Sequence, residues 1–161
     1  MGIDIVNESG IDVDAAELSG VASFALSQLR IHPAAELSVL LVDADAMALL
    51  HERWMGEPGP TDVLSFEMDE LRPTPDDAEP EPGLLGDVVL CPQVAREQAV
   101  TAGHPLPAEL TLLTVHGILH LLGFDHAEEP GKTAMFALQT RLLGDWAAAS
   151  GGVAPHFTVP S

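Results

Sequence analysis

The spacing of apolar residues along the chain predicts a mixture of strands and helices. Apolar and polar residues alternate over residues 2–8, which is the period of a half-buried strand. Short runs of β-preferring residues predict three further strands, at 36–43, within 58–66 and at 84–91. Helical spacing, capping residues and prolines predict five helices, at 14–30, from Asp43 or Asp45 to about 54, at 92–102, at 107–122 and after Pro130. The sequence therefore predicts a single α/β (α+β) domain with about five helices on a mixed sheet of about four strands.

Two segments do not fit this pattern. Residues 67–83 combine acidic residues with four prolines and carry almost no apolar side chains, so they predict a mobile, solvated surface loop. An acidic arm that binds a partner is the less favoured interpretation of this loop. The domain is expected to extend over residues 1–150, and residues 151–161 are expected to form a frayed tail.

The charge of the chain limits what it can bind unaided. Six lysines and arginines stand against 25 acids, for a formal net charge of −19 over 161 residues. Proteins that hold nucleic acid by themselves usually present a basic cluster, so attraction to a polyanion would need a metal ion or a basic partner. Cys91 is the single cysteine, no signal peptide is visible, and the longest apolar stretch, 110–124, is too short to span a bilayer. A reducing, cytoplasmic location is the expectation.

The segment HGILHLLGFDH, residues 116–126, carries the clearest chemistry. His116 and His120 are four residues apart, which places them about 40° apart around a helix and one turn apart along it. Gly123 can end the helix, so that the chain folds back and His126 supplies a third imidazole. A lone histidine would more simply be a hydrogen-bonded core residue. Three at this spacing predict a zinc site with one open position, the arrangement of catalytic zinc.

A zinc protease is one alternative for this segment. The spacing matches the protease pattern HExxHxxGxxH, but that pattern needs a glutamate where this chain has Gly117. Met135 fits the apolar stripe of the last helix better than the methionine turn of such proteases. A metalloprotease-like hydrolase is therefore disfavoured.

Together with PTDVLSF at 60–66 and LGDVVLC at 85–91, the histidine segment closely resembles the YbeY family of metal-dependent endoribonucleases. The resemblance covers roughly residues 36–146. It implies a zinc site built from His116, His120 and His126. It also implies cleavage of single-stranded RNA, in 3′-end maturation of small-subunit ribosomal RNA and in ribosome quality control. A non-catalytic ribosome-assembly factor, in which a metal only stabilises the last two helices, is the other alternative.

One departure from the family concerns an arginine linked to activity. Family members often carry a Tyr-Arg pair about six residues before the threonine of PTDVLSF, where this chain has Trp54 and Met55. Arg53 is a candidate replacement, although a residue two positions away from Met55 on a helix points to a different face. Asp125 is a candidate either to orient a ligand imidazole or to act as a base. The sequence does not choose between attack by water and attack by the ribose 2′-hydroxyl, and nickel or cobalt could replace zinc.

The acidic balance also suggests where such an enzyme would act. A protein with this charge should hold free RNA weakly and with little salt dependence. It would bind better to rRNA presented on the small ribosomal subunit, where basic ribosomal or assembly proteins could dock its acidic surface.

Overall fold

The computed structural model describes residues 2–125 and 128–150. Its elements follow one another as β1 (Gly2–Asn7), α1 (Ala15–Gln28), β2 (Glu36–Leu41), α2 (Ala44–Met55), β3 (Val63–Glu67), β4 (Leu84–Leu90), α3 (Pro92–Ala102), α4 (Leu106–Leu121) and α5 (Gly131–Ser150). This confirms the predicted domain of five helices and a four-stranded mixed sheet.

The strands form one sheet in the order β1, β2, β4, β3. β1 and β2 are parallel, as are β2 and β4, whereas β3 runs antiparallel to β4 at the edge. Among the described residues, β3 therefore has a strand partner on one side only. This edge strand carries most of the PTDVLSF segment.

Side-chain caps begin two of the helices where the sequence predicts them. Asp14 Oδ1 accepts a hydrogen bond from the Glu17 amide at 3.2 Å, and Asp43 Oδ1 accepts one from the Ala46 amide at 2.8 Å. The structure thus selects Asp43 over Asp45 as the cap of α2. Each cap satisfies an amide that the first turn of a helix leaves without a partner.

α4 lies at the centre of the molecule, where it packs on β3, β4, α1, α3 and α5. Most of its side chains are buried on all sides, because the sheet covers one side and the other helices surround the rest. A smaller apolar cluster lies beneath α2 and includes Met47, Leu64 and Val89. The main core thus fixes α4 firmly against the edge of the sheet formed by β3 and β4.

The acidic, proline-rich segment joins β3 to β4 without a helix or strand of its own over residues 68–83. The segment is hydrogen-bonded at several points. The Arg30 guanidinium donates to the Pro75 carbonyl, the Thr74 amide donates to the Leu29 carbonyl at 3.2 Å, and Asp69 Oδ2 accepts from the amide of residue 84 at 2.8 Å. Its mobility stays a prediction, and the predicted tail at 151–161 lies outside the described residues.

None of the helices in the described ranges combines the length and the apolar composition that crossing a bilayer requires.

Candidate metal centre and adjoining cleft

Two of the three predicted metal ligands lie in the last turns of α4 and face each other. The Nε2 atoms of His116 and His120 are 3.0 Å apart, and their rings meet edge to face with centroids 4.6 Å apart. His116 is fully buried, whereas His120 is partly exposed. The i, i+4 spacing on the helix therefore brings one nitrogen from each ring to the same point.

The separation of these nitrogens suits two ligands of one ion. Zinc binds imidazole nitrogen at 2.0–2.1 Å, so two nitrogens at a tetrahedral angle are about 3.3 Å apart. The observed distance between the two Nε2 atoms is close to this value and needs only a small adjustment. The C-terminal end of a helix, where His120 lies, also carries partial negative charge that favours a cation.

A residue that the sequence analysis missed fixes the orientation of His116. Gln139, from α5, is buried, and its Oε1 lies 2.9 Å from His116 Nδ1. An amide oxygen only accepts, so Nδ1 carries the proton and the Nε2 atom that faces His120 keeps its lone pair. The sequence does carry a signal, since Gln139 interrupts the apolar stripe of the last helix between Leu138 and Leu142.

The chain reverses direction directly after α4, as predicted. Gly123 has a φ of +94°, its amide donates to the His120 carbonyl at 3.1 Å, and the Phe124 amide donates to the Leu119 carbonyl at 3.0 Å. Such a 6→1 bond across a left-handed glycine is typical of a Schellman helix end.

The third predicted ligand, His126, lies outside the described residues. Within residues 2–125 and 128–150, no three His, Cys, Asp or Glu side chains form a group that could hold a metal ion. Asp125 is described and exposed, and it lies just past the reversal of the chain. Its role as an orienting group or base stays a prediction, as does the ligand role of His126.

Gly117 lies where α4 comes closest to the sheet. A Cβ atom at this position would lie 2.7 Å from Val88 Cγ1 and 3.2 Å from Ser65 Oγ. The Ser65 hydroxyl donates to the Gly117 carbonyl at 2.9 Å and so ties α4 to β3. A glutamate at this position would not fit without displacing the helix, which adds a steric reason to disfavour the protease interpretation.

His120 opens into a cleft of about 560 Å³ at the edge of the sheet. The lining residues come from the end of α2, the turn that follows it, β3 and α4: His51, Met55, Glu57, Pro60, Thr61, Val63, Leu64, Ser65, Glu67, His120 and Leu121. PTDVLSF therefore forms one wall of the cleft. Asp62 in this segment is buried and has a structural role, since its Oδ1 accepts from the Val63 amide at 2.8 Å.

The position of the family arginine faces this cleft, but the proposed replacement does not. Met55 contributes to the lining, so the cleft has an apolar side chain where the arginine would stand. The Arg53 guanidinium instead lies 5.4 Å from the ring centre of Trp54, and Arg53 is not part of the lining. Arg53 and Met55 therefore point to different faces of α2, as the sequence analysis expected.

The other end of α4 holds a buried pair of ionisable groups that belongs to a different part of the molecule. His104 Nε2 lies 2.6 Å from Glu109 Oε1, and Glu109 is fully buried. Burial raises the pKa of the Glu109 carboxyl, the His104 contact opposes this shift, and the negative charge of Asp62 adds to it.

Comparisons with known proteins agree with the motifs. The family model described as "Endoribonuclease YbeY" matches residues 5–147. A protein of that name from Acidothermus cellulolyticus is 62% identical over 152 residues, which cover 92% of this chain and 93% of the relative. One from Mycobacterium tuberculosis is 60% identical over 150 residues and covers 92% of this chain and 85% of the relative. The fold is similar to the solution structure of TM1509 from Thermotoga maritima, with a TM-score of 0.57 and 26% sequence identity. The match covers 97% of this chain and 99% of the TM1509 chain.

Proposed function

The chain belongs to the Endoribonuclease YbeY family, and from this premise we propose that it is a zinc-dependent enzyme that cleaves single-stranded RNA internally. Its family membership supports an RNA substrate. The single structural observation that carries the proposal is the convergence of His116 Nε2 and His120 Nε2 beside an open cleft that His120 lines.

The residues present fit a zinc ion. His116 and His120 would each supply Nε2, and we propose His126 as the third ligand. Zinc held by three imidazoles would supply a Lewis acid that activates a water or stabilises developing charge on a phosphoryl oxygen. A site of this kind needs neutral imidazoles, and the hydrogen bond from His116 Nδ1 to Gln139 keeps one of them in the required tautomer.

The cleft suits a flexible, single-stranded substrate. It is open to solvent along β3, so a polynucleotide backbone could pass over His120 while a base or sugar lies against the wall at residues 60–65. Asp125 is our candidate for orienting a ligand or accepting a proton. Arg53 is the weaker candidate for a phosphate contact, because it stacks on Trp54 outside the cleft lining.

We further propose that the biological substrate is small-subunit ribosomal RNA, in 3′-end maturation and in ribosome quality control in the cytoplasm. The net charge of −19 supports a substrate presented on a particle, where basic proteins can dock the acidic surface.

The test is a comparison of His116→Ala and His120→Ala with the wild-type protein and with His32→Ala. His32 is a matched control, because it lies in the turn after α1 and its Nδ1 accepts from the Ala34 amide. Bound zinc, melting temperature and cleavage of a single-stranded RNA that contains the 3′ end of the small-subunit rRNA precursor are measured on all four proteins. We expect the two site variants to lose zinc and cleavage while keeping their fold.

Three results would contradict the proposal. Normal zinc content and normal cleavage in both site variants would exclude the metal site. A wild-type protein that binds zinc but cleaves no RNA, and whose variants unfold, would favour the non-catalytic assembly factor. Cleavage of an unstructured protein such as casein, without cleavage of RNA, would favour the protease.

A further inference from the structure

Arg72, in the segment between β3 and β4, lies against the end of the helix that carries the histidines. A Cβ atom at Gly123 would lie only 2.6 Å from Arg72 Nε and 2.8 Å from its guanidinium carbon. The guanidinium therefore lies beside Gly123, which follows the end of α4 and is three positions after His120. A side chain at position 123 would displace the guanidinium from this place, and the φ of +94° also favours glycine.

Arg72 also contacts the rim of the cleft. Its Nη1 donates to Glu67 Oε1 at 2.8 Å, and Glu67 is one of the residues that line the cleft with His120. Nη1 donates as well to the Leu71 carbonyl at 2.8 Å. The arginine is thus held between the reversal after α4 and the mouth of the cleft.

A cation in addition to the proposed zinc ion would favour the entry of a phosphodiester into the cleft. The described residues that line it include two carboxylates, Glu57 and Glu67, and no lysine or arginine. His51 Nε2 lies 3.2 Å from Glu57 Oε2. Arg72 offsets the negative charge of Glu67, and it is a cation that the structure places at the rim.

The exposure of the ion pair permits an exchange of partners. The side chains of Arg72 and Glu67 are 46% and 35% exposed, and exposed pairs of this kind are weak. A guanidinium also forms strong, paired hydrogen bonds with a phosphate group. A phosphate that approaches the mouth of the cleft can therefore compete with Glu67 for the same donors.

We infer that Arg72 binds a backbone phosphate of the RNA at the rim of the cleft. The inference rests on the proposed function for the identity of the ligand. Glu67 holds the guanidinium at the rim in the free protein, and the bound phosphate takes its place. Arg72 contributes to substrate binding and not to the metal site.

The experiment measures RNA binding separately from cleavage. A fluorescein-labelled, single-stranded 2′-O-methyl oligoribonucleotide is titrated with zinc-loaded protein at several salt concentrations, and a gel checks that it stays intact. Arg72→Ala is compared with the wild type and with Arg96→Ala. Arg96 is an exposed arginine of α3, so the control removes the same charge without changing the rim of the cleft. Zinc content and melting temperature are recorded for each protein.

We expect Arg72→Ala to bind about 10-fold more weakly than Arg96→Ala, the lower end of the loss for a charge-assisted hydrogen bond. The slope of log affinity against log salt should be shallower by about 0.7, which corresponds to one phosphate contact on a single strand. Arg72→Lys, which keeps the charge but loses the paired geometry, should lie between the two. Zinc content should not change.

Equal binding by Arg72→Ala and Arg96→Ala would overturn the inference, and so would the absence of measurable binding by the wild type. Loss of zinc or of the fold in Arg72→Ala, with Arg72→Lys matching the wild type in affinity and salt slope, would instead assign Arg72 a structural role and also overturn it. Cleavage of natural RNA by the wild type tests the proposed function independently. If cleavage is absent while the Arg72→Ala effect is present, the proposed function fails and the phosphate contact stands.

Discussion

Replacing Gln139 with leucine should weaken zinc binding without unfolding the protein. Gln139 Oε1 accepts the Nδ1 proton of the buried His116 at 2.9 Å, and this leaves the Nε2 lone pair directed toward His120. Leucine has a similar volume but offers no acceptor. His116 can then carry its proton on Nε2 instead, and that tautomer must be reversed before a metal can bind.

The effect on the stability of the metal-free protein should be small. The substitution leaves the buried His116 Nδ1–H without its acceptor, at a cost of about 1–3 kcal/mol. It also removes Gln139 Nε2, a buried donor without a hydrogen-bond partner among residues 2–125 and 128–150, which already carries a penalty of the same kind. Because these two terms oppose each other, we expect the free energy of unfolding to change by no more than about 1 kcal/mol.

The effect on zinc affinity should be larger. Loss of a partner that orients a metal-bound imidazole typically lowers affinity 10- to 100-fold, or about 1.4–2.8 kcal/mol. At a fixed excess of zinc, the stabilisation that the metal confers should fall by the same amount. Gln139→Glu should retain wild-type affinity or exceed it, since a carboxylate acceptor makes the imidazole a better ligand.

The assay is a competition titration against a chromogenic zinc chelator, with urea denaturation of each protein in the absence of metal. Gln28→Leu, an exposed glutamine at the end of α1, serves as the control for the same chemical change. If Gln139→Leu binds zinc as tightly as the wild type, the argument from the tautomer is wrong. A loss of several kcal/mol in the metal-free protein would show that Gln139 mainly holds the fold together.

Other parts of the structure lead to further predictions. Gly117→Ala should lower the free energy of unfolding in urea by about 1 kcal/mol, because the clash with Val88 outweighs the gain of about 1 kcal/mol in helix propensity; a stabilised variant would contradict the close packing. Burial raises the pKa of Glu109 above its ordinary value of 4.5, so the folded state binds more protons than the unfolded state just above that pH, and stability falls as pH rises. Glu109→Gln should therefore gain stability relative to the wild type as the pH rises above 4.5 in urea titrations, and a constant difference would refute this. The Cys91 thiol is fully buried and its pKa is raised, mainly by burial, so it should react with a thiol reagent only after unfolding; rapid labelling of the native protein would show that the site opens. Naked RNA should bind more weakly than small ribosomal subunits, with little salt dependence, and a tight, steeply salt-dependent complex with naked RNA would contradict docking through the acidic surface.

Local signals in the sequence predict the elements of this fold because each depends on neighbours along the chain. Asp14 caps α1 by accepting a hydrogen bond from an amide only three residues further along the chain, and Pro92 is the first residue of α3. The strand order could not be predicted in the same way. β2 pairs with β4 and β3 takes the edge through contacts between residues far apart in sequence, and no short pattern specifies them.

Local spacing also predicts some residues of the candidate site and leaves others unpredicted. The helix alone determines that His116 and His120 share a face, so four residues of spacing predict their convergence. Gln139, Met55 and Arg72 reach the site from three other segments, and only the packed structure shows that they do. Gln139 leaves a detectable signal as a polar residue in an apolar stripe. A single arginine in an acidic loop predicts nothing by itself.

Gly117 is the position at which this chain departs from the protease pattern that has the same histidine spacing. In the protease pattern, a glutamate stands beside the first histidine. In this chain the equivalent position faces Val88 and Ser65, with no room for a Cβ, so a carboxylate there would require α4 to move away from β3 and β4. The close approach is also what ties the Gly117 carbonyl to Ser65, a residue of the cleft wall, and so holds His120 against that wall. The close contact between α4 and the sheet therefore both disfavours a glutamate at position 117 and links the helix that carries His120 to the wall of the cleft.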